Sequence, residues 1–312
     1  MLMMMTLIWQ RILTMLTLLK IQDHMTNALR GETTVSPQAV KDFAEECTEA
    51  AERQLVRQRG NFRIRMSGLG RPLCQQVLEK KGIKEDMEYN TLFRFMFGDL
   101  TESILMLIMK EAGVDIVDYQ RAVQLQVGDT LVNGTLDVII RDELGVEKVW
   151  DVKSASDWAF NYKFTGMNGG YDKLKEDDPF GYVMQGFLYA EATGLPFGGW
   201  IVVNKSSGMV AIVEVPDWAQ DDKEAYLKDA EERVKFLTNP DVEPFVPLKS
   251  EFETYKRSGE VIRTGNKVLP RQCNLCGYRS HCWPDAILHG KVTSKAKNPP
   301  LVWYDKLKNK EM

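Results

Sequence analysis

The chain lacks an uninterrupted hydrophobic run long enough to cross a membrane. Its most apolar stretch, MLMMMTLIWQRILTMLTLLK, is broken at Gln10 and Arg11, leaving pieces of roughly nine residues where a helical span needs ~20. No small-residue cleavage site follows, so a secretory signal is not expected, no membrane partner is expected, and the expected location is cytoplasmic. The chain is also poor in cysteine, with five in 312 residues. That is too few for a disulfide scaffold of this size, and in a reducing compartment clustered cysteines point to metal. No G-x-x-x-x-G-K-[ST] loop occurs, so nucleotide-driven work would fall to a partner. Excess positive charge is missing too. The net charge of −4 excludes a globally basic surface but leaves room for a local basic groove beside an acidic site.

What is present is ordinary globular composition, 44% hydrophobic and 27% charged, enough to bury one large domain or two smaller ones. Ser36-Pro37 opens a helix expected over 35–58, with Val40, Phe43, Ala44 and Cys47 at helical spacing and Cys47 expected to be buried. MSGLGRPLC at 66–74 breaks the pattern and brings Cys74 into a loop or helix start. A second helix is expected over 91–112. It is apolar on every face from Ile104 to Met109 and therefore expected to be buried all round, with Glu102 at its mouth.

The period then changes to two. Arg121–Val127, Thr130–Ile140 and Glu147–Val152 read as strands, the last two joined by a hairpin at Asp142–Gly145. A helix at 180–193, strands at Gly199–Val203 and Met209–Val215, and a charged helix at 217–237 follow. A Pro-containing linker then leads to the late cysteines. The order predicts an α/β protein with a mixed central sheet flanked by helices.

Alternation puts Asp151 and Lys153 on one face of their strand and Val152 on the other. One hairpin register sets Asp137 beside Asp151. Two adjacent carboxylates repel unless one is protonated or a cation lies between them. Mg²⁺ or Mn²⁺ resolves the conflict, taking carboxylate oxygens plus waters and a substrate phosphate. The Val152 carbonyl is a candidate further ligand, Glu102 a third carboxylate, and Lys153 a group to orient water or neutralise developing charge. The bland alternative is a surface Asp151–Lys153 ion pair. Gln185 and Tyr189 are four apart on one helix face, either supporting that site or forming part of an amphipathic surface.

Cys273, Cys276 and Cys282 form a C-x2-C-x5-C run, and Cys74 lies some two hundred residues earlier. A four-thiolate set suits an iron–sulfur cluster or zinc, and His281 could replace Cys74 in a Cys3His zinc site.

Glu102, Gly134-Thr-Leu-Asp137, Asp151-Val-Lys153 and Gln185-x-x-x-Tyr189, in this order, resemble the RecB-like branch of the PD-(D/E)xK nucleases. With one cysteine before and three after, the pattern over residues 66–285 is similar to its iron–sulfur members of the Cas4, AddB and Dna2 nuclease-domain type. Many of these carry His where Glu102 stands, and Glu there is the variant accepted in related phage exonucleases. The resemblance implies a restriction-endonuclease-like core. Asp137 and Asp151 would be metal ligands, Lys153 catalytic, Gln185 and Tyr189 supporting, and the four cysteines would hold a [4Fe–4S] cluster. DNA, as single strands or duplex ends, would be the substrate, cut by an exonuclease in recombination, repair or phage DNA processing, with a helicase or recombination protein as partner.

The expected organisation is a leader at 1–24, a helical region at 25–120 carrying Cys74 and Glu102, a nuclease core at 121–216, a helix, linker and cysteine segment at 217–290, and a basic tail at 291–312. The leader reads as an amphipathic partner or membrane-surface helix, or as an artefact with translation starting at Met25. Arg71, Arg279 and the tail lysines are candidates to flank DNA, and Trp158, Phe160, Tyr162 and Phe164 to stack on bases or fill the core. Two rival functions stay open: a DNA-binding or assembly protein of the same fold that does not cut, and a zinc-ribbon interaction protein.

Overall fold

The computed structural model describes residues 2–56, 61–167, 169–239 and 248–308, with side chains from Leu16 onward. Residues 240–247 of the expected linker, residues 57–58 of the first expected helix, and Lys310 lie outside the described residues.

In chain order the helices α1 (Leu2–Leu29), α2 (Pro37–Leu55), α3 (Met66–Leu69), α4 (Leu73–Lys80) and α5 (Tyr89–Glu111) lead into strands β1 (Ile116–Val127), β2 (Thr130–Arg141) and β3 (Glu147–Ala155). A short helix α6 (Asp157–Ala159), a π-helical turn (Phe160–Thr165), α7 (Tyr171–Glu176) and α8 (Tyr182–Thr193) cross over to β4 (Phe197–Asn204) and β5 (Val210–Glu214). Then come α9 (Gln220–Thr238), β6 (Glu251–Arg257), β7 (Glu260–Val268), α10 (Arg271–Asn274), α11 (Arg279–Cys282), β8 (Ile287–Gly290) and β9 (Leu301–Lys306). No helix among the described residues is long and apolar enough to cross a membrane. The chain forms two compact units, one of residues 1–60, 64–70 and 88–236, the other of 61–63, 71–87 and 237–312.

The larger unit is a mixed α/β layer structure. Its sheet runs in order β1-β2-β3-β4-β5. Only β3 and β4 are parallel, as their helical crossover requires. Ser36 caps α2 by accepting the Ala39 N–H, which offsets one orphan donor at the helix start. Trp150 and Val152 of β3 and Val138 and Ile140 of β2 pack under Ile21, Leu105, Met106 and Met109. That places α1 and α5 over one face of the sheet. Ile21 is 3% exposed, and Lys20 pairs with Glu143 at 2.6 Å. The second half of α1 therefore packs on the larger unit.

Two burial expectations change. α5 is not buried all round: Leu105, Met106 and Met109 form its buried stripe, whereas Ile104 is exposed. A helix laid on a sheet buries only the face that meets it. Cys47 is half-buried on α2, in a shallow surface pocket with Leu55 and Val56.

The smaller unit holds a four-stranded sheet of order β6-β7-β9-β8 that the sequence reading missed. The signal was Ser258-Gly259, both at positive φ in the β6–β7 hairpin. β9 lies inside the stretch expected as a basic tail. It pairs with both β7 and β8, because Tyr304 buries its ring and its hydroxyl meets Glu253 at 2.8 Å. Cys74 falls in this unit and Glu102 in the other, which divides the expected 25–120 region.

Candidate active site and cysteine pocket

β2 and β3 pair from Arg141/Glu147 to Val138/Trp150. Continuing that register by one step sets Asp137 opposite Asp151, where the paired ladder ends. The freed N–H of Val152 donates to Asp137 Oδ2 at 2.7 Å, so Val152 serves the site through its backbone while its side chain fills the core. Asp151 is 1% exposed. Its Oδ1 accepts Gln185 Nε2 at 3.1 Å, and its Oδ2 lies 2.6 Å from Lys153 Nζ without an aligned hydrogen bond. Gln185 Nε2 also reaches Tyr189 Oη at 3.3 Å. The sheet face opposite α1 and α5 thus carries Asp151, Lys153, Gln185 and Tyr189 together, and the surface ion-pair alternative fails because Asp151 is buried.

Gly134 explains the glycine in the Gly134-Thr-Leu-Asp137 motif. A Cβ there would stand 2.8 Å from both the Tyr189 ring and the Met66 sulfur. α8 is buried from Val183 to Ala190, so it is a core helix and not an amphipathic surface one.

Glu102 reaches the same cluster from α5. Burial pushes its carboxyl well above the usual range, and the Asp137 charge adds to that while Lys153 opposes it. Burial likewise pushes Asp151 up to about 8 against the pull of Lys153. Burial works against the Lys153 ammonium, but Asp151 and Asp137 outweigh it and hold Lys153 above its ordinary range. Three carboxylates and one lysine gathered around the buried Asp151 carry surplus negative charge, which a proton or a cation must neutralise.

Two site residues escaped the sequence reading. Gln120 donates its side-chain amide to Glu102. It sits opposite Asp137 in β1 at φ 49°, in a gap between the Tyr119/Val138 and Arg121/Leu136 pairs. Positive φ at a non-glycine residue costs about 1–3 kcal/mol and clusters at functional sites; no residue pattern announces it. Tyr182 places its ring 5.2 Å from Lys153 Nζ, and burial raises its phenol to about 12. It lies three residues before Gln185, the helical spacing that could have flagged it.

The four cysteines also meet. Cys74, Cys273, Cys276 and Cys282 line one pocket in the smaller unit with Tyr278 and Trp283. His281 is exposed and does not line it, so Cys74 and not His281 completes the set. Burial raises all four thiols, Cys276 to about 11. Four thiolates cannot share such a pocket without a cationic centre. The Tyr278 N–H donates to Cys276 Sγ at 3.4 Å, and the Trp283 side chain faces the Cys273 thiol, where its N–H partly offsets the effect of burial. A thiolate-held group with sulfur acceptors fits these donors. Among the described residues, no group of three or more His, Cys, Asp or Glu is placed to hold one metal ion directly.

Arg71 pairs with Glu79 at 3.3 Å, and Arg279 lies over the Trp303 ring at 3.8 Å. Phe160 and Phe164 are buried, whereas Trp158 and Tyr162 are exposed and stacked on each other at 4.7 Å.

No protein-family model matches the chain, and no curated protein matches it. The crystal structure of SSO0001 is similar at a TM-score of 0.39 and 15% identity, covering 63% of this chain and 87% of that one. Likeness at that level carries no argument about function.

Proposed function

We propose that the chain is a divalent-metal-dependent deoxyribonuclease with a restriction-endonuclease-like core, acting as an exonuclease on single strands or DNA ends in recombination, repair or phage DNA processing. The observation that carries this reading is the cluster at the end of the β2–β3 ladder. Asp137 and Asp151 face each other there, Glu102 joins them, and Gln185 and Lys153 hold Asp151.

In this reading Asp137, Asp151 and Glu102 would hold Mg²⁺ or Mn²⁺, directly or through water, with the Val152 carbonyl as a further oxygen. When bound, the metal polarises the phosphoryl oxygen and lowers the pKa of water. Lys153 remains an ammonium through the working pH range. It would hold the attacking water and offset charge as the new P–O bond forms and the leaving oxygen departs with a proton. Gln185 fixes the Asp151 carboxylate, and Tyr189 fixes Gln185. Hydrolysis by this site consumes one water per phosphodiester. The four thiols in the smaller unit are assigned to a [4Fe–4S] cluster, with zinc as the rival metal.

The test is incubation of anaerobically purified protein with end-labelled single- and double-stranded DNA plus Mn²⁺ or Mg²⁺, beside Lys153→Ala. Cleavage lost in the variant and with EDTA supports the proposal. Wild-type protein that leaves every substrate intact turns the reading to a binding protein of the same fold.

A further inference from the structure

α2 flanks only the later part of α5. Arg53 and Gln54, at its end, meet Asp99 at 3.3 and 2.9 Å, and Asp42, near its start, meets Lys110 at 3.3 Å. The turns of α5 from Tyr89 to Phe97 run past the end of α2. There Tyr89, Phe93 and Phe97 are 80%, 54% and 56% exposed. They stand four apart, with ring centroids 6.5 and 6.3 Å from one to the next. Three exposed aromatic rings in file form an apolar patch that costs solubility, the mark of a binding surface.

The file leads toward the end of β3, whose other face carries the cluster. Gly98, one residue beyond Phe97, lies against Ser154 of β3, where a Cβ would be 3.7 Å from the Ser154 hydroxyl. Ser154 follows Lys153 in β3 but points to the opposite face, so the path from the ridge to the cluster rounds the end of the strand. Beside it, the Lys205 N–H donates to the Ala155 carbonyl at 2.9 Å. Lys205 and Arg94 have no carboxylate partner among the described residues, and they are close enough that, after burial, Arg94 is what lowers the Lys205 pKa. Two uncompensated cations beside a row of exposed rings call for an anionic, aromatic occupant. A duplex hides its bases, whereas an unpaired strand offers both ring faces and phosphates.

We infer that Tyr89, Phe93 and Phe97 form a stacking ridge for single-stranded DNA, with Arg94 and Lys205 holding its phosphates, and that the ridge delivers the strand past the ends of β3 and β4 to the carboxylate cluster. The inference rests on the nuclease reading for the destination of the strand but not for the binding itself.

Fluorescence anisotropy of a labelled twenty-nucleotide oligo-dT, with wild-type protein in EDTA, tests binding apart from cleavage. Phe93→Ala and Tyr89→Ala are expected to weaken oligo-dT by about fivefold or more each, at the low end of one stacked base, while blunt duplex binding and thermal midpoint stay unchanged. Arg94→Gln and Lys205→Gln are expected to flatten the salt dependence. Failure of wild type to bind oligo-dT, or equal binding by the ring variants, overturns the ridge. Self-association of wild type that Phe93→Ala abolishes, with oligo-dT binding intact, also overturns it and gives the face to a second copy of the chain. If Lys153→Ala cleaves as wild type does, the nuclease reading fails and the binding result stands alone. If cleavage obeys Lys153 but the ring variants bind normally, only the ridge fails.

Discussion

Gln185 on α8 donates to Asp151 on β3 at 3.1 Å, both residues buried. The bond ties the crossover helix to the strand that carries the candidate chemistry. Gln185→Ala leaves a buried carboxylate oxygen without its donor, a cost of about 1–3 kcal/mol. The expected outcome is a fall in turnover of roughly ten- to a hundredfold with oligo-dT affinity in EDTA unchanged. Tyr189→Phe keeps the ring over Gly134 and loses only the hydroxyl, so its effect should be smaller. Steady-state cleavage rates of both variants, beside EDTA binding, check the split.

Cation binding should be pH-dependent. Burial raises the folded Asp151 carboxyl to about 8, against about 4 in an unfolded chain. Folding therefore takes up a proton between those values, and this contribution to stability is present at low pH and lost as pH rises through about 8. A cation needs the carboxylate and must displace that proton. The rise in thermal midpoint given by Mn²⁺ should grow from pH 6 to pH 8.5. A rise that is the same at both pH values contradicts a cation site at Asp151.

Ile21 packs with Leu105, Met109 and Trp150. Ile21→Ala should cost about 2–5 kcal/mol, read as a lower urea midpoint at constant slope. A loss below 1 kcal/mol would remove α1 from the structural core.

Glu253 governs the smaller unit. Burial alone would raise its carboxyl, but donors on Asn266, Tyr304 and Thr264 overcome that and hold it below its usual range. Its contribution is present above about pH 4.3 and lost as pH falls through the lowered folded value. Glu253→Gln should destabilise the smaller unit at pH 7, and the gap to wild type should narrow toward pH 3. Amide hydrogen exchange on β6, β7 and β9 reads this directly.

Anaerobic protein should absorb near 400 nm and carry about four iron atoms per chain. Cys276→Ser should lose both and expose residues 71–87 and 248–308 to protease, since metal binding energy is folding energy. One zinc per chain, without colour, moves the cysteine pocket to the zinc assignment.

The periodicities of the larger unit were legible in the residues themselves. Alternation over 130–152 placed Asp137, Asp151 and Lys153 on one face, and the Asp142–Gly145 turn set their register. The four-residue step from Gln185 to Tyr189 put both on one side of a helix. These are local rules, because a strand or helix fixes which side chains share a face. The sequence by itself left Cys74 and His281 as alternative companions of Cys273, Cys276 and Cys282, and the pocket holds Cys74.

Only the tertiary structure decided the rest. It placed Cys74 and Glu102 in different units, packed Ile21 over the sheet, folded the expected tail into a β-strand, and turned Gln120 through a positive φ to meet Glu102. Each depends on partners far apart in the chain. Such contacts are set by which surfaces can be buried together, a property of the packed whole that no local pattern encodes.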